Sequence, residues 1–295
     1  MNPEIPCSCN LKRQQCHIWG KAGNMRSTAK IATVQYVVSE RMDDNYRTTL
    51  RYIEHAAKKG ADVVCFPEGQ LAPYVPQYQG LDAQSFSIPL DHPYVQGLCE
   101  ACRKNAIIGC FGLCLTIEGN VYSCAMLVDE NGCILGIQKK HHIVYAYHFY
   151  EQDYFTPGDD GFAVYDTSVG KIGMVVCFDR HYPESFRTLA LKEAQFVYVP
   201  VANEKIEPSK VFQWEIRIPA FQNSMYVLMA NRVGIEASMD FSGESVLASP
   251  DGNTVFVADD SECMLVGEAD FARAAELREE KQYLALRCSN VFEVR

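Results

Sequence analysis

Apolar positions along this chain recur in two rhythms, alternate residues and every third or fourth, and the changes of rhythm mark the elements. KIATVQYVV (30–38) is read as a strand. Asp43-Asp44 then opens a helix with Tyr46, Leu50, Ile53 and Ala57 on one face, closed by Gly60. ADVVCFPE is a short apolar run of the kind expected for a strand buried on both faces. A helix over about 92–104 leads to the strand AIIGCFGLCL, and NVYSCAMLVDENGCILGIQKK is a hairpin turning at Asn131-Gly132. GFAVYDTSVGKIGMVVCF predicts a second hairpin, turning near Ser168–Gly170. A helix from Pro183 (183–194) carries Phe186, Leu189 and Ala190, followed by the strand FVYVPV and a longer helix around Trp214. MYVLMANRVG, ESVLASPDGNTVFVAD (turning at Asp251-Gly252) and CMLVGEADF add strands, and a charged helix (272–283) precedes an irregular tail. Strands with interspersed helices and frequent hairpins predict mixed sheets under helices. Residues 1–28 show no period and read as an irregular extension; 29–295 read as a single domain.

Composition narrows the function classes. With 48% hydrophobic and 22% charged residues the chain can build a sizeable core. Its net charge of -10 and lack of a dense Lys/Arg stripe argue against nucleic acid as a partner. No run approaches the ~18 apolar residues of a membrane span, and the first residues lack a secretory signal's apolar stretch. A soluble, cytoplasmic protein is expected. Thirteen cysteines are many, but Cys65, Cys110, Cys114 and Cys177 sit inside apolar runs, so buried thiols are expected rather than disulfides. Cys99-x-x-Cys102 lies on a helix opened by Asp91-His92-Pro93, Asp91 being read as its N-cap, with no second pair to complete a metal site. Cys7, Cys9, Cys16 and His17 have metal-ligand side chains but fall in the extension, just before Met25, an alternative start. No histidine cluster or Gly-rich phosphate loop appears, and neither metal nor cofactor is expected.

Three reactive residues share one placement. Glu68 follows DVVCFP, Lys140 follows CILGIQK and Cys177 follows IGMVV, each at the end of an apolar strand. Rigid strands aim side chains from distant sequence at one point. Taken singly, each has an ordinary reading: a solvated carboxylate, an exposed strand end, a core thiol. Together their surroundings resemble the nitrilase superfamily of carbon–nitrogen hydrolases. FPE (66–68) resembles its glutamate motif, Lys140-His141-His142-Ile143 its lysine motif and Cys177-Phe178-Asp179-Arg180-His181-Tyr182-Pro183-Glu184 its cysteine motif. Glu151-Gln-Asp-Tyr154-Phe155-Thr-Pro157-Gly158 matches the segment with a second glutamate. The resemblance covers about 29–272.

It implies a four-layer α-β-β-α sandwich, two mixed sheets face to face with helices outside. It also implies a Cys177 nucleophile, Glu68 as base and Lys140 as cation. Such a thiol, activated, is expected to outpace other exposed thiols toward iodoacetamide. Lys140 and the backbone N–H of Phe178 would stabilise the oxyanion, one such donor being worth ~3 kcal/mol. Glu151 would orient Lys140 and the substrate nitrogen. Lys140 is preferred to Lys139 because it alone matches the motif, and adjacent strand residues point to opposite faces.

The implied substrate is a small linear amide or N-carbamoyl compound, cleaved at a non-peptide C–N bond with release of ammonia. Cys177-Phe178-Asp179 departs from the C-W-E of nitrile-cleaving members, so a nitrilase is the alternative, and a non-catalytic binding or scaffold homologue a second. Arg180 resembles the residue that meets the substrate carboxylate in N-carbamoyl-amino-acid hydrolases; otherwise it pairs with Glu184 or Asp179. Facing the pocket, it predicts an anionic substrate, although the segment at Glu151, shared with carbamoylputrescine-type amidases, leaves a cationic one open. Asn203, His142 and Phe178 complete the implied substrate contacts. Family members pair through the helix after the nucleophile, here 183–194, which implies a homodimer or higher homo-oligomer.

Overall fold

A computed structural model describes residues 27–291. The extension expected over 1–28 lies outside them except for its last two residues, and Thr28 already begins the first strand. The chain runs β1 (Thr28–Gln35), α1 (Met42–Lys58), β2 (Val63–Cys65), β3 (Ile88–Pro89), α2 (Pro93–Asn105), β4 (Ile108–Ile117), β5 (Asn120–Val128) and β6 (Ile134–Lys139). A small hairpin of β7 (Tyr145–Ala146) and β8 (Phe149–Tyr150) then leads to β9 (Val164–Thr167), β10 (Gly170–Met174), α3 (Pro183–Leu191) and β11 (Phe196–Val201). After α4 (Ser209–Asn223) come β12 (Tyr226–Asn231), β13 (Val233–Glu236), β14 (Met239–Ser242), β15 (Val246–Ala248), β16 (Thr254–Val257), β17 (Cys263–Asp270) and α5 (Phe271–Lys281).

The two large sheets follow one plan. In the first, β1, β2 and β4 are parallel, joined through α1 and α2, with β17 antiparallel on one flank and β5 and β6 on the other. In the second, β10, β11 and β12 are parallel, joined through α3 and α4, with β9 and the pair β15–β16 outside. Parallel neighbours need a crossover, and a helix serves while covering one sheet face. Strand alternation decides which face each residue meets. Ile31, Val63, Cys65, Ile108 and Cys110 point between the sheets, sharing a core with Ile172, Tyr198 and Leu228. Their neighbours Ala32, Val34, Val64 and Phe66 pack outward with Ile53 of α1 and Leu98 and Cys102 of α2. Phe186, Leu189, Phe212 and Ile216 bring α3 and α4 onto the second sheet. The layers are helix, sheet, sheet, helix, as expected. No helix among the described residues is long and apolar enough to cross a membrane.

Three local expectations shift. The buried stripe of α1 is Asn45, Thr49, Ile53 and Ala56, one position round from the apolar one. The two polar residues are buried because they bond the loop after β2: the Asn45 amide donates to the Leu71 carbonyl (3.0 Å), and the Gln70 amide donates to Thr49 Oγ1 (3.0 Å). Helix α2 is capped by His92, whose ring accepts from the Tyr94 N–H (3.1 Å), instead of Asp91. MYVLMANRVG is two strands, broken at Arg232.

The parallel strands set the site. Glu68 follows β2, Cys177 follows β10, Asn203 follows β11 and Arg232 follows β12, all at carboxyl ends, where open α/β sheets place ligands. Beneath Glu68, β4 must pass without a side chain. A Cβ on Gly112 would lie 2.3 Å from the Pro67 carbonyl oxygen and 2.7 Å from the Glu68 Cα.

Candidate active site

Cys177 opens a 3-10 turn (Cys177–His181) between β10 and α3, and its φ of 45° is left-handed. Such a backbone costs a non-glycine residue roughly 1–3 kcal/mol and persists only where the surroundings fix it. They do. The Asp179 N–H donates to the Val176 carbonyl (3.0 Å), and Ser185 Oγ donates to the Asp179 carbonyl (2.9 Å). The Asp179 carboxylate then accepts from the backbone N–H groups of His141 (3.1 Å) and His142 (2.9 Å) and pairs with His142 Nδ1 (2.6 Å). One carboxylate thus fastens the cysteine turn to the loop after Lys140.

Lys140 is wholly buried just past β6, and its Nζ lies 2.6 Å from both oxygens of Glu151 and 3.3 Å from Glu68 Oε1. Lys139 points the other way, its Nζ 4.7 Å from the Tyr122 ring centroid and 3.7 Å from Asp159. Glu151 begins a 3-10 turn and also accepts from the Tyr74 hydroxyl (2.8 Å). Glu68 Oε1 accepts from Ser123 Oγ (2.7 Å) as well as Lys140. Glu68 Oε2 is buried without a hydrogen-bond partner among the described residues. A buried carboxylate oxygen left open is costly unless something is meant to use it.

The electrostatics assign the resting protons. Burial pushes the Cys177 thiol well above the usual thiol range, the Glu68 charge adds to this, and Lys140 opposes it. Burial thus favours a neutral Cys177 thiol, which would need a base in order to attack. Burial works against the Lys140 charge, but the Glu151 and Glu68 carboxylates hold Lys140 well above the ordinary lysine range, and a Cys177 thiolate would add to this. Burial also lifts Glu151, with Lys140 pulling it back. Tyr74 is pushed well up by burial and stays a donor.

Arg180 faces Cys177 as expected, Nη1 lying 4.0 Å from Cys177 Sγ and 3.4 Å from the Cys177 carbonyl oxygen. Its other two nitrogens are already engaged. Nε donates to Glu215 (3.1 Å), and Nη2 donates to Glu207 (3.1 Å) and to Asn203 Oδ1 (2.8 Å). Neither alternative partner, Glu184 or Asp179, is involved. Asn203 also donates to Glu207 Oε2 (2.9 Å), so it orients Arg180 and Glu207. His142 stacks on Tyr182 (3.5 Å between centroids) in the hold on Asp179. Phe178 lies edge-on to His181 and Tyr182.

A carbon–nitrogen hydrolase family model matches residues 30–279. The chain belongs to the carbon–nitrogen hydrolase family. It is 27% identical over 263 residues to N-carbamoylputrescine amidase of Arabidopsis thaliana, covering 83% of this chain and 87% of that one. It is 28% identical to a citrullinase of Francisella tularensis subsp. tularensis, covering 87% and 93%. Among solved structures, a carbon–nitrogen hydrolase from Helicobacter pylori G27 superposes with a TM-score of 0.81 at 26% identity over 90% of this chain and 97% of that one. The amidase from Nesterenkonia sp. AN1 in complex with acrylamide shares the fold, with a TM-score of 0.78 at 23% identity over 90% and 96%.

For this hydrolase, sequence reasoning missed Tyr74, Ser123 and Arg232. Ser123 had a signal, being a hydroxyl inside the apolar run of β5. Tyr74 and Arg232 had none, since their roles arise from distant loops. No group of three His, Cys, Asp or Glu side chains able to hold a metal occurs among the described residues; the Cys7, Cys9, Cys16 and His17 cluster lies outside them. Cys102 is buried and Cys99 half-buried on α2.

Proposed function

We propose that this carbon–nitrogen hydrolase cleaves linear amides or N-carbamoyl compounds in the cytosol through a Cys177 thioester-type intermediate, with release of ammonia. The unpartnered, buried Glu68 Oε2 carries the reading. That oxygen takes the Cys177 proton as sulfur attacks the carbonyl carbon. The oxyanion is met by the Lys140 ammonium and the Phe178 N–H. As the C–N bond breaks, Glu68 returns the proton to nitrogen and ammonia leaves. Water then gives a proton to Glu68 and attacks the thioester, and the sulfur departs and takes that proton back. Ser123 and Lys140 hold Glu68 Oε1 throughout, and Glu151 keeps Lys140 charged and in place.

Arg180 argues for the charge of the substrate's far end. Its Nε and Nη2 are taken by Glu215, Glu207 and Asn203, leaving Nη1 toward Cys177, while Glu207, 40% exposed at its side chain, uses only Oε2 for Arg180 and Asn203. Glu207 Oε1 makes no hydrogen bond among the described residues and stands beside an already neutralised guanidinium. This favours a cationic tail over a carboxylate, in keeping with the relatives named N-carbamoylputrescine amidase. Ammonia release from N-carbamoylputrescine, neutral N-butylurea, anionic N-carbamoyl-β-alanine and butyronitrile separates the readings. The cationic urea is expected to lead, and Glu207→Gln to lower its kcat/KM by about tenfold, the order of one charge-assisted hydrogen bond, while N-butylurea is unchanged. Turnover of the nitrile alone would overturn the amide reading; preference for the anionic urea would overturn the cationic tail.

We also propose a homodimer through α3 and α4. A groove of about 680 Å³ lined by Arg187, Trp214, Ile218, Phe221 and Tyr283 lies there, and Leu191, Trp214 and Ile218 are each about half exposed. An apolar face of this kind is expected to close on a second copy. Sedimentation should give about twice the 33.2 kDa chain mass, and Trp214→Glu with Ile218→Glu should return it to a monomer. A native monomer would refute the pairing.

A further inference from the structure

At the end of β12 the strand breaks, and Arg232, with 0% exposure, turns toward the other sheet. Its donors are fully engaged. Nε and Nη2 form a bidentate pair with Glu236 at 2.8 and 2.6 Å. Nη1 donates to the carbonyls of Glu68 and Gly69, each at 3.2 Å, and Nη2 to the Ala72 carbonyl at 2.9 Å. The loop leaving β2 has no strand partner for these carbonyls, and the guanidinium replaces one. Gly69 is what lets it approach: φ there is +59°, and a Cβ would sit 3.1 Å from Nη1. Glu236 extends the hold, its Oε2 accepting from the Tyr74 N–H at 3.0 Å. The Tyr74 hydroxyl in turn donates to Glu151, which grips Lys140.

A buried ion pair is poor value as a stabiliser, since apolar groups of similar volume often do as well or better. Its geometric effect is the stronger reason for it. Five N–H donors in a rigid plane fix three carbonyls and one carboxylate at once. We infer that Arg232, paired with Glu236, is a positioning residue for the hydrolysis: it sets where the Glu68 carboxylate and the Tyr74–Glu151 arm stand relative to Cys177. The inference rests on the Glu68–Cys177 chemistry proposed above.

The test measures turnover per labelled site. Cys177 is titrated with iodoacetamide and located by mass spectrometry, and the fastest of the ureas named above is followed by ammonia release. Arg232→Lys keeps the charge but loses the planar fork. It should keep full Cys177 labelling and near-native KM while kcat per labelled site falls about 30- to 100-fold, the scale of a base misplaced by about 1 Å. Glu236→Gln, which keeps the shape and weakens the grip, should fall less. In Arg232→Ala, guanidinium ion at millimolar concentration should restore part of kcat, and ammonium at the same concentration should not. If Arg232→Lys and Glu236→Gln both turn over within twofold of native per labelled site, the positioning role is wrong and Arg232 serves folding alone. If alkylating Cys177 in the native protein leaves turnover intact, the hydrolytic reading itself fails, a result separate from the first.

Discussion

Glu68→Gln is expected to lower kcat/KM by about 10³-fold while making Cys177 easier to alkylate. The loss follows from removing the group proposed to take the thiol proton, a step typically worth ~10²–10⁴ in rate. Glutamine matches glutamate in shape and retains an oxygen for Ser123, so the packing beside Gly112 is undisturbed. The gain follows from charge. Burial is the main reason the Cys177 thiol is pushed up, and the Glu68 carboxylate is the next. Deleting that charge brings the thiol down, so at pH 9 more thiolate is present and iodoacetamide reacts faster than with the native protein. Turnover and alkylation therefore move in opposite directions. Simple unfolding would also expose the core thiols Cys65 and Cys110, whose labelling by mass spectrometry identifies that case. Turnover within tenfold of native would remove Glu68 as the base; slower alkylation would overturn the electrostatic account of the resting thiol.

What the sequence made legible, and what it hid, divides by range. The apolar run ADVVCFPE was legible locally as a strand buried on both faces, and Val63 and Cys65 do meet one core while Val64 and Phe66 meet the other. The hairpins at Gly132 and Gly252 were legible because both glycines take positive φ in tight turns. Glu68, Lys140, Glu151 and Cys177 were visible because each sits in a short motif at a strand end. Arg180 was visible as a residue, but its ion-pair partners Glu207 and Glu215 were not, because they lie beyond β11 in the chain. The α1 stripe shifted for the same reason: Asn45 and Thr49 are buried only because the loop carrying Gln70 and Leu71 folds over them. Arg232 was hidden inside an apolar run that reads as one strand. In each case the missing information is the identity of a partner far along the chain, which no local period encodes.

Lys140→Met is expected to damage stability and activity together, and pH separates the two. The ammonium lies between two buried carboxylates, 2.6 Å from Glu151 and 3.3 Å from Glu68. Methionine fills much of the same space but leaves both carboxylates uncompensated, which costs roughly 3–5 kcal/mol for a broken buried pair. Loss of an oxyanion donor lowers kcat by a further ~10²–10³-fold. In the native protein Lys140 is held above its ordinary value, so its contribution is fully present below the unfolded lysine pKa of ~10.4 and fades only as pH rises through the higher folded value. In the Met variant the pull of Lys140 is gone, and burial with the Glu68 charge lifts Glu151 further against the Tyr74 hydrogen bond. A carboxyl whose folded pKa is raised contributes stability at low pH and loses it as pH rises through that value. The variant's deficit in urea midpoint should therefore be largest near neutrality and narrow on acidification toward pH 5. Adding Glu151→Gln to Lys140→Met should recover part of the stability at pH 7, with no recovery of turnover. A deficit independent of pH would mean that lost packing, not the stranded carboxylates, accounts for the damage.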